Sequence, residues 1–242
     1  MNILMLDTSG PACGVALMKD GQLVYEAQLT NARTHSQRLM PMVDEALALC
    51  DMRAEEIDLF GAVVGPGSFT GVRIGVTTVK AMAHAKGKPC VGINALEALA
   101  ANATEFDGLV CPILDARAQQ VYGAVFRAGF PPVRVFEDEA EKLTLFLDKI
   151  ERADERALFL GDGAAAMREA IVERLGERAA FASAQHTGLR AGSACALAAT
   201  YAQHEPERLL DHLHLLPHYL RAPQAERERQ AALAGASEKA NG

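Results

Sequence analysis

The stretch that decides the fold is the glycine-rich segment of residues 65–75, which reads Gly65-Pro66-Gly67-Ser68-Phe69-Thr70-Gly71-Val72-Arg73-Ile74-Gly75. It follows an apolar run, Leu59 to Val64, that is typical of a buried strand, and it opens a segment with helical periodicity. A strand, a glycine-rich turn and a helix start in this order place backbone N–H groups where a ligand or a partner could meet them.

The glycine-rich segment matches neither of the two common phosphate-binding loops. A P-loop requires Lys followed by Ser or Thr after its last glycine, where this chain has Val72-Arg73. The dinucleotide fingerprint requires its third glycine one residue earlier than Gly71. Two interpretations stay open: a backbone site for an anion, or a tight turn in which glycines supply positive φ and Pro66 fixes one torsion.

Composition limits the class of protein. Half of the 242 residues are apolar and 5% are aromatic, so we expect an aliphatic core in one large domain or two lobes. A net charge of −7 argues against a protein that wraps nucleic acid by itself. The five cysteines form no Cys-x-x-Cys pair, which argues against a zinc site or a disulfide framework. No apolar run approaches 18 residues, so we expect no signal peptide, no membrane span and a cytoplasmic location.

The first half of the chain predicts a three-strand meander followed by alternating helices and strands. Asp20-Gly21 is a strong signal for a two-residue hairpin between the second and third strands. Thr34 and Gln37 form a capping box ahead of a helix that continues to Cys50, and Gly87 is placed to end a helix over 70–86. The other predicted elements are strands at Asn2–Leu6, Cys13–Met18, Leu23–Leu29, Leu59–Val64 and Pro89–Ile93, and a helix at Ala95–Thr104.

The second half repeats this order of elements. Its predicted strands are Leu109–Leu114, Gln119–Arg127, Val133–Phe136 and Ala157–Leu160, and its helices are Asp138–Ile150, Ala164–Leu175 and Arg190–Gln203. Two passes of a meander followed by helix and strand predict a duplicated α/β unit. We expect an N-terminal lobe over 1–104, a C-terminal lobe over 105–221, and a disordered tail over 222–242 because that tail has little apolar content.

Several short stretches along the chain carry a family resemblance: Leu6-Asp7-Thr8-Ser9, Gly14-Val15-Ala16-Leu17, His35-Ser36, the glycine-rich segment, Pro112–Arg117 and Tyr219-Leu220-Arg221. Together they resemble the TsaB (YeaZ) family. The resemblance implies the fold of actin, Hsp70 and sugar kinases, with two lobes that are each a mixed sheet flanked by helices. It also implies a role in making threonylcarbamoyladenosine at position 37 of tRNA, in a pair with the larger catalytic protein TsaD and together with the TsaE ATPase.

The resemblance further implies that the helices over 36–50 and 70–86 meet their counterparts on TsaD, or on a second copy of the chain when TsaD is absent. Each helix is apolar over more than the narrow stripe that one core contact requires. The predicted partner contacts are His35, Leu39, Met42, Val43, Ala46, Val72, Val76, Val79 and Met82. On this interpretation tRNA is reached only through the complex.

The resemblance implies that catalysis belongs to the partner. TsaD holds a metal through the two histidines of a His-Met-Glu-Gly-His stretch, which corresponds here to Ala95-Leu96-Glu97-Ala98-Leu99. Ala95 and Leu99 stand at the ligand positions, and neither side chain can donate an electron pair. We therefore expect no metal and no catalytic residue.

A nucleotide site is only half present. Asp7-Thr8-Ser9 could be a vestigial phosphate loop, although we favour Asp7 as the cap of a turn. The second loop, Leu114–Ala118, has no glycine that would let the backbone approach a phosphate. Gly161-Asp162-Gly163 is a candidate remnant of the loop on the adenosine side. We therefore expect no bound cofactor.

Three histidines lie close together near the C-terminus. Alternate residues of an extended chain share a face, so His212 and His214 could bind zinc or nickel, with Asp211 and His218 nearby. Pro217 and the lack of a matching distant ligand favour a surface loop instead.

Three functions from different classes remain. A glycoprotease-type metallopeptidase needs a metal or a nucleophile–base pair, and the residues supply neither. A small-molecule kinase needs both phosphate loops and a general base, and only half of one loop is present. A non-catalytic scaffold or activating subunit that pairs with TsaD needs neither, and it is the function that we predict.

Overall fold

In the computed structural model, which describes residues 1–31 and 33–221, the chain forms two five-stranded mixed sheets flanked by helices. The first repeat contains β1 (Ile3–Asp7), β2 (Cys13–Lys19), β3 (Gln22–Leu29), α1 (His35–Leu49), β4 (Leu59–Gly65), α2 (Phe69–Lys86), β5 (Cys90–Asn94) and α3 (Ala95–Ala100). The second contains β6 (Leu109–Asp115), β7 (Gln120–Arg127), β8 (Val133–Lys142), α4 (Leu143–Ala153), β9 (Ala157–Leu160), α5 (Asp162–Ala166), α6 (Arg168–Leu175), β10 (Ala179–Phe181) and α7 (Ala191–His204).

The two sheets have the same strand order. The first runs β3-β2-β1-β4-β5 and the second runs β8-β7-β6-β9-β10. In each sheet the first three strands are antiparallel neighbours, and the next two are added in parallel after a helix. This confirms the prediction of two actin-like lobes that each begin with a three-strand meander.

The hairpin between β2 and β3 forms at the predicted turn. Asp20 and Gly21 have φ of 51° and 80°, the left-handed values that a type I′ turn requires at both centres. Cys13 pairs with Leu29 at the far end of the same antiparallel ladder. The turn chemistry thus set the register of this hairpin.

Alternating residues of β1 show how the layers are stacked. Leu4 and Leu6 pack with α1 and α2 on one face of the first sheet, whereas Ile3 and Met5 pack with α3 and α7 on the other. The helix α3 also packs on the second sheet, and α4, α5 and α6 cover that sheet's opposite face. The helices α3 and α7 therefore lie between the two sheets.

The last part of residues 105–221, the predicted C-terminal lobe, packs against the first sheet. The helix α7 packs on β1, β2 and β3 of the first sheet. The segment after it also joins the first repeat, since Leu210 bridges to Cys90 and Leu215 is buried in the core that contains residues of α1 and α2. The end of the second repeat thus completes the core of the first.

The structure departs most clearly from the predictions at three helices. The helix predicted over 138–150 begins only at Leu143, because β8 stays paired with β7 as far as Lys142. Because β8 is an edge strand, Glu137 and Glu139 reach solvent and do not oppose pairing. Glu141 is largely buried, and Lys149 Nζ pairs with it at 2.6 Å. The helix predicted over 164–175 is interrupted at Met167, and α3 ends at Ala100.

The tail over 222–242, predicted to be disordered, lies outside the described residues. Among the helices described within 1–31 and 33–221, none combines the length and the hydropathy that crossing a bilayer requires.

Candidate functional site: the glycine-rich segment, the interlobe cleft and the outer helices

The glycine-rich segment packs against the loop that follows β1. A Cβ on Gly67 would lie 2.3 Å from the Ser9 carbonyl oxygen, and one on Gly71 would lie 2.0 Å from the Thr8 carbonyl oxygen. A Cβ on Gly75 would lie 2.6 Å from Thr8 Oγ1. Side-chain carbons do not approach oxygen this closely, so these glycines are what allows α2 to reach the loop.

Hydrogen bonds fix the same contact. Thr8 Oγ1 donates to the Gly71 carbonyl at 2.7 Å, and the Ser68 N–H donates to the Ser9 carbonyl at 2.7 Å. Ser68 Oγ caps α2 by accepting from the Gly71 N–H at 3.2 Å. The Ser68 and Gly71 N–H groups are therefore engaged within the protein. These bonds and the close backbone contacts build a tight turn between the segment and the loop after β1.

Asp7 caps the turn that follows β1. Its Oδ1 accepts from the Ser9 N–H at 2.8 Å and from Ser9 Oγ at 2.7 Å. The carboxyl group is almost fully buried, and this burial raises the pKa of Asp7 to about 6, although the two Ser9 hydrogen bonds oppose the rise. A carboxyl group held inside its own turn is not directed at a metal-bound phosphate.

A cleft of about 700 Å³ is lined by both lobes, at the ends of β1 and β6. On the second-lobe side, Asp115 Oδ1 accepts from the Arg117 N–H at 2.7 Å, and Asp162 Oδ1 accepts from the Asp115 N–H at 3.0 Å. A Cβ on Gly161 would lie 2.1 Å from the Ile113 carbonyl oxygen. The two second-lobe loops therefore brace each other, as the Asp7 turn and the glycine-rich segment do in the first lobe.

The C-terminal histidines have separate partners. The ring of His212 lies 4.3 Å from that of His84, and His214 Nδ1 is 2.8 Å from Asp211 Oδ1. His218 Nε2 is 3.8 Å from Asp138 Oδ2 in the second lobe. Across residues 1–31 and 33–221, no three side chains of His, Cys, Asp or Glu converge as metal ligands. The zinc or nickel pair considered from sequence is not assembled.

Most of the predicted partner contacts lie in the chain's own core. The seven that are buried there are Leu39, Met42, Val43, Ala46, Val72, Val76 and Val79. The prediction that they face a partner is wrong, because the first sheet covers the apolar stripe of both helices. Met82 is partly exposed, and His35 Nε2 donates to the Gly10 carbonyl at 3.0 Å, which ties the start of α1 to the first lobe's cleft loop.

Other residues form the outer faces of α1 and α2. On α1, Met40 and Leu49 are exposed, and Leu49 retains 68% of its accessible surface. The other exposed residues are Ser36, Gln37, Pro41, Asp44, Glu45 and Ala48 on α1 and Thr70, Arg73, Thr77, Ala81, His84 and Ala85 on α2. These two faces are the solvent-exposed surface that the helices offer to another molecule.

Sequence reasoning did not foresee the role of the segment that follows α7. Residues 205–221, which we call the strap, cross the outside of the first lobe and end at the cleft. Tyr219 stacks on Phe69 with ring centroids 4.6 Å apart and accepts from Arg73 Nε at 3.0 Å. In the sequence, the Tyr219-Leu220-Arg221 stretch and the neighbouring histidines pointed to this segment, but neither indicated its contacts with α2.

Comparison with known proteins adds to this geometry. Residues 29–229 match the family described as TsaD: tRNA N6-adenosine threonylcarbamoyltransferase. The chain is 34% identical over 227 residues to the tRNA threonylcarbamoyladenosine biosynthesis protein TsaB of Bacillus subtilis. This alignment covers 93% of this chain and 96% of that protein.

Solved structures give the same picture. YeaZ from Pseudomonas aeruginosa superposes with a TM-score of 0.72 at 25% identity, over 90% of this chain and 99% of that one. The ethanolamine utilization protein EutJ from Carboxydothermus hydrogenoformans shares the fold, with a TM-score of 0.50 at 13% identity over 81% of this chain and 89% of that one.

Proposed function

The chain belongs to the TsaB family, and from this premise we propose that it is the non-catalytic subunit that pairs with TsaD in the threonylcarbamoylation of adenosine 37 of tRNA. The observation that carries the proposal is the 34% identity to a TsaB protein across 93% of the chain, which includes both lobes. A role in tRNA threonylcarbamoyladenosine biosynthesis follows from the family.

The geometry supports the non-catalytic part of this proposal. Ala95 and Leu99, which stand where the resemblance to TsaD would put metal ligands, are fully buried and apolar. Asp7, the one acidic residue of the first phosphate-type loop, is engaged by Ser9. These positions therefore supply neither metal ligands nor a carboxylate for a bound phosphate, and we assign the transfer of the threonylcarbamoyl group to TsaD.

We assign the pairing with TsaD to the outer faces of α1 and α2. Met40 and Leu49 provide exposed apolar surface on α1, and Ala81 and Thr77 on α2 are small enough to let another helix approach closely. The same faces would pair two copies of the chain when TsaD is absent. The TsaE ATPase and tRNA would join only the assembled pair, in the cytoplasm where tRNA is modified.

Co-purification with the TsaD of the same organism tests the pairing. We expect tagged chain to retain TsaD at equimolar stoichiometry, and expect the isolated chain to show no steady ATP turnover and no stoichiometric transition metal by mass spectrometry. A chain that hydrolyses ATP in a manner abolished by Asp7→Asn would instead support the kinase. If the tagged chain retains no TsaD at any salt concentration, the proposal that it is a subunit paired with TsaD is wrong.

A further inference from the structure

The strap runs antiparallel along one side of α2. The ring of His212 packs on that of His84 near the C-terminal end of the helix. Further along the strap, the Leu213 carbonyl accepts from Lys80 Nζ at 3.3 Å. Tyr219 finally reaches the first turn of α2, where it stacks on Phe69. The strap and the helix therefore form one continuous surface.

The strap is fixed at three points, so its outward side chains have defined positions. Leu210 and Cys90 exchange two backbone hydrogen bonds of 2.8 Å. Leu215 is buried in the core of the first lobe. The His218 N–H donates to the Val64 carbonyl at 2.7 Å.

Two leucines of this fixed segment project into solvent. Leu213 and Leu216 each retain 65% of their accessible surface, and they flank the buried Leu215. Isolated exposed leucines are common, but here they lie beside a helix whose outer face carries the small residues Thr77 and Ala81 and no large apolar side chain among its exposed residues. They supply apolar surface, which is what the centre of a specific interface buries.

The charges around the leucines favour an acidic partner surface. The helix α2 carries Arg73, Lys80 and Lys86 and no Asp or Glu, in a chain whose net charge is −7. Lys86 is ion-paired with Glu55 at 2.5 Å, so the positive charges that face a partner are those of Arg73 and Lys80. The one acidic residue of the strap after Arg208 is Asp211, which accepts from His214 and from the Leu213 N–H. A partner that is apolar opposite the leucines and carries carboxylates around them would match this surface.

We propose that the TsaD-binding surface extends from α1 and α2 onto the strap, where Leu213 and Leu216 form its apolar centre and the basic flank of α2 meets carboxylates of TsaD. This inference rests on the proposed function, because it describes part of the same interface. Its physical basis is area: the first sheet buries the apolar stripes of the helices, and a specific interface still requires about 800 Å² from each partner.

The test is a titration of TsaD with the double variant Leu213→Ser/Leu216→Ser. The matched control is Leu145→Ser/Val172→Ser, which removes two similarly exposed apolar side chains from α4 and α6 of the second lobe. We expect the strap variant to raise the Kd at least tenfold and the control to change it less than twofold, with thermal unfolding of both unchanged. If the double variant unfolds at a lower temperature than the wild type, the Kd of the single variant Leu216→Ser tests the same contact.

The outcomes separate this inference from the function on which it rests. If the strap variant binds TsaD with a Kd within twofold of the wild type while Ala81→Glu weakens binding, the strap is not part of the interface but the proposed function stands. The same conclusion holds if the strap variant changes only the self-association of the chain. If the Kd for TsaD does not rise between 50 and 500 mM NaCl, the proposed contact between the basic residues of α2 and carboxylates of TsaD is wrong. If wild-type chain does not bind TsaD at all, both the proposed function and this inference fail.

Discussion

Thr8 Oγ1 donates a 2.7 Å hydrogen bond to the carbonyl of Gly71, and a Cβ on Gly71 would lie only 2.0 Å from the Thr8 carbonyl oxygen. Glycine inside a helix costs about 1 kcal/mol relative to alanine. Here it is required, because α2 crosses the Thr8 backbone too closely for any side chain. The relationship joins the glycine-rich segment to the end of β1.

Gly71→Ala should therefore destabilise the protein, although alanine is the better helix former. The clash is with a backbone oxygen in a buried contact, so we expect a loss of about 2–4 kcal/mol, which exceeds the gain in helix propensity. Gly10→Ala is the matched control, since a Cβ there meets nothing within 4 Å. Urea unfolding measures both. Equal stability of the two variants would refute the close-packing account of the glycine-rich segment.

Val79→Glu and Ala81→Glu should behave in opposite ways although they lie two residues apart on α2. Val79 is fully buried in the first core, so an added carboxylate should cost more than about 3 kcal/mol and reduce the folded fraction. Ala81 is exposed, so its variant should stay folded within about 0.5 kcal/mol of the wild type and lose affinity for TsaD. Circular dichroism and pull-down separate the two effects. A folded Val79→Glu protein would contradict the assigned core face of α2.

Stability should depend on pH through Asp7. Burial raises the pKa of Asp7 from 3.8 to about 6 in the folded protein, so between these values the folded state keeps a proton that the unfolded state has lost. The stabilisation relative to Asp7→Asn is fully present below about pH 4 and should be lost as the pH rises through about 6. The difference of about two pH units corresponds to about 3 kcal/mol. Urea unfolding of both proteins at several pH values checks this, and a wild type that gains relative stability over the same range would contradict it.

Asn94 should contribute to stability as the N-cap of α3. Its Oδ1 accepts from the Leu96 N–H at 2.9 Å and from the Glu97 N–H at 3.0 Å, while its Nδ2 donates to Asp138 of the second lobe. We expect Asn94→Ala to cost about 1–2 kcal/mol through the lost cap. Asn94→Ser, which keeps a capping oxygen but is too short to reach Asp138, should recover most of it. If thermal unfolding shows the Ser and Ala variants to be equal, the contact between the lobes carries the effect instead.

Local signals in the sequence predicted most of the fold. Asp20-Gly21 fixed the first hairpin because two positive φ values leave few other turns, and Gly87 ended α2 with φ of 60° as a left-handed C-cap should. The element order predicted the duplication because each repeat is continuous in the chain. Predicted boundaries were wrong where pairing between distant strands decides them. Residues 138–142 were predicted to be helical, but they extend β8 because they pair with β7.

The candidate site was predicted less well, for a physical reason. Periodicity shows that a helix has an apolar stripe, but not whether that stripe meets the chain's own sheet or another protein. Val79 and Met42 were therefore assigned to a partner when they belong to the core. The strap was missed because its contacts with Phe69 and Cys90 join residues more than 100 positions apart, which no local pattern records.

Formation of threonylcarbamoyladenosine on tRNA by the reconstituted pathway tests the central claim most directly. The account predicts that TsaD with its threonylcarbamoyl donor depends on this chain for full activity. It also predicts that folded Asp7→Asn chain supports the reaction as well as wild type does, whereas folded Ala81→Glu chain does not. Full modification without the chain, or its loss with an Asp7→Asn protein that still binds TsaD, would contradict a non-catalytic partner that acts through its outer helices.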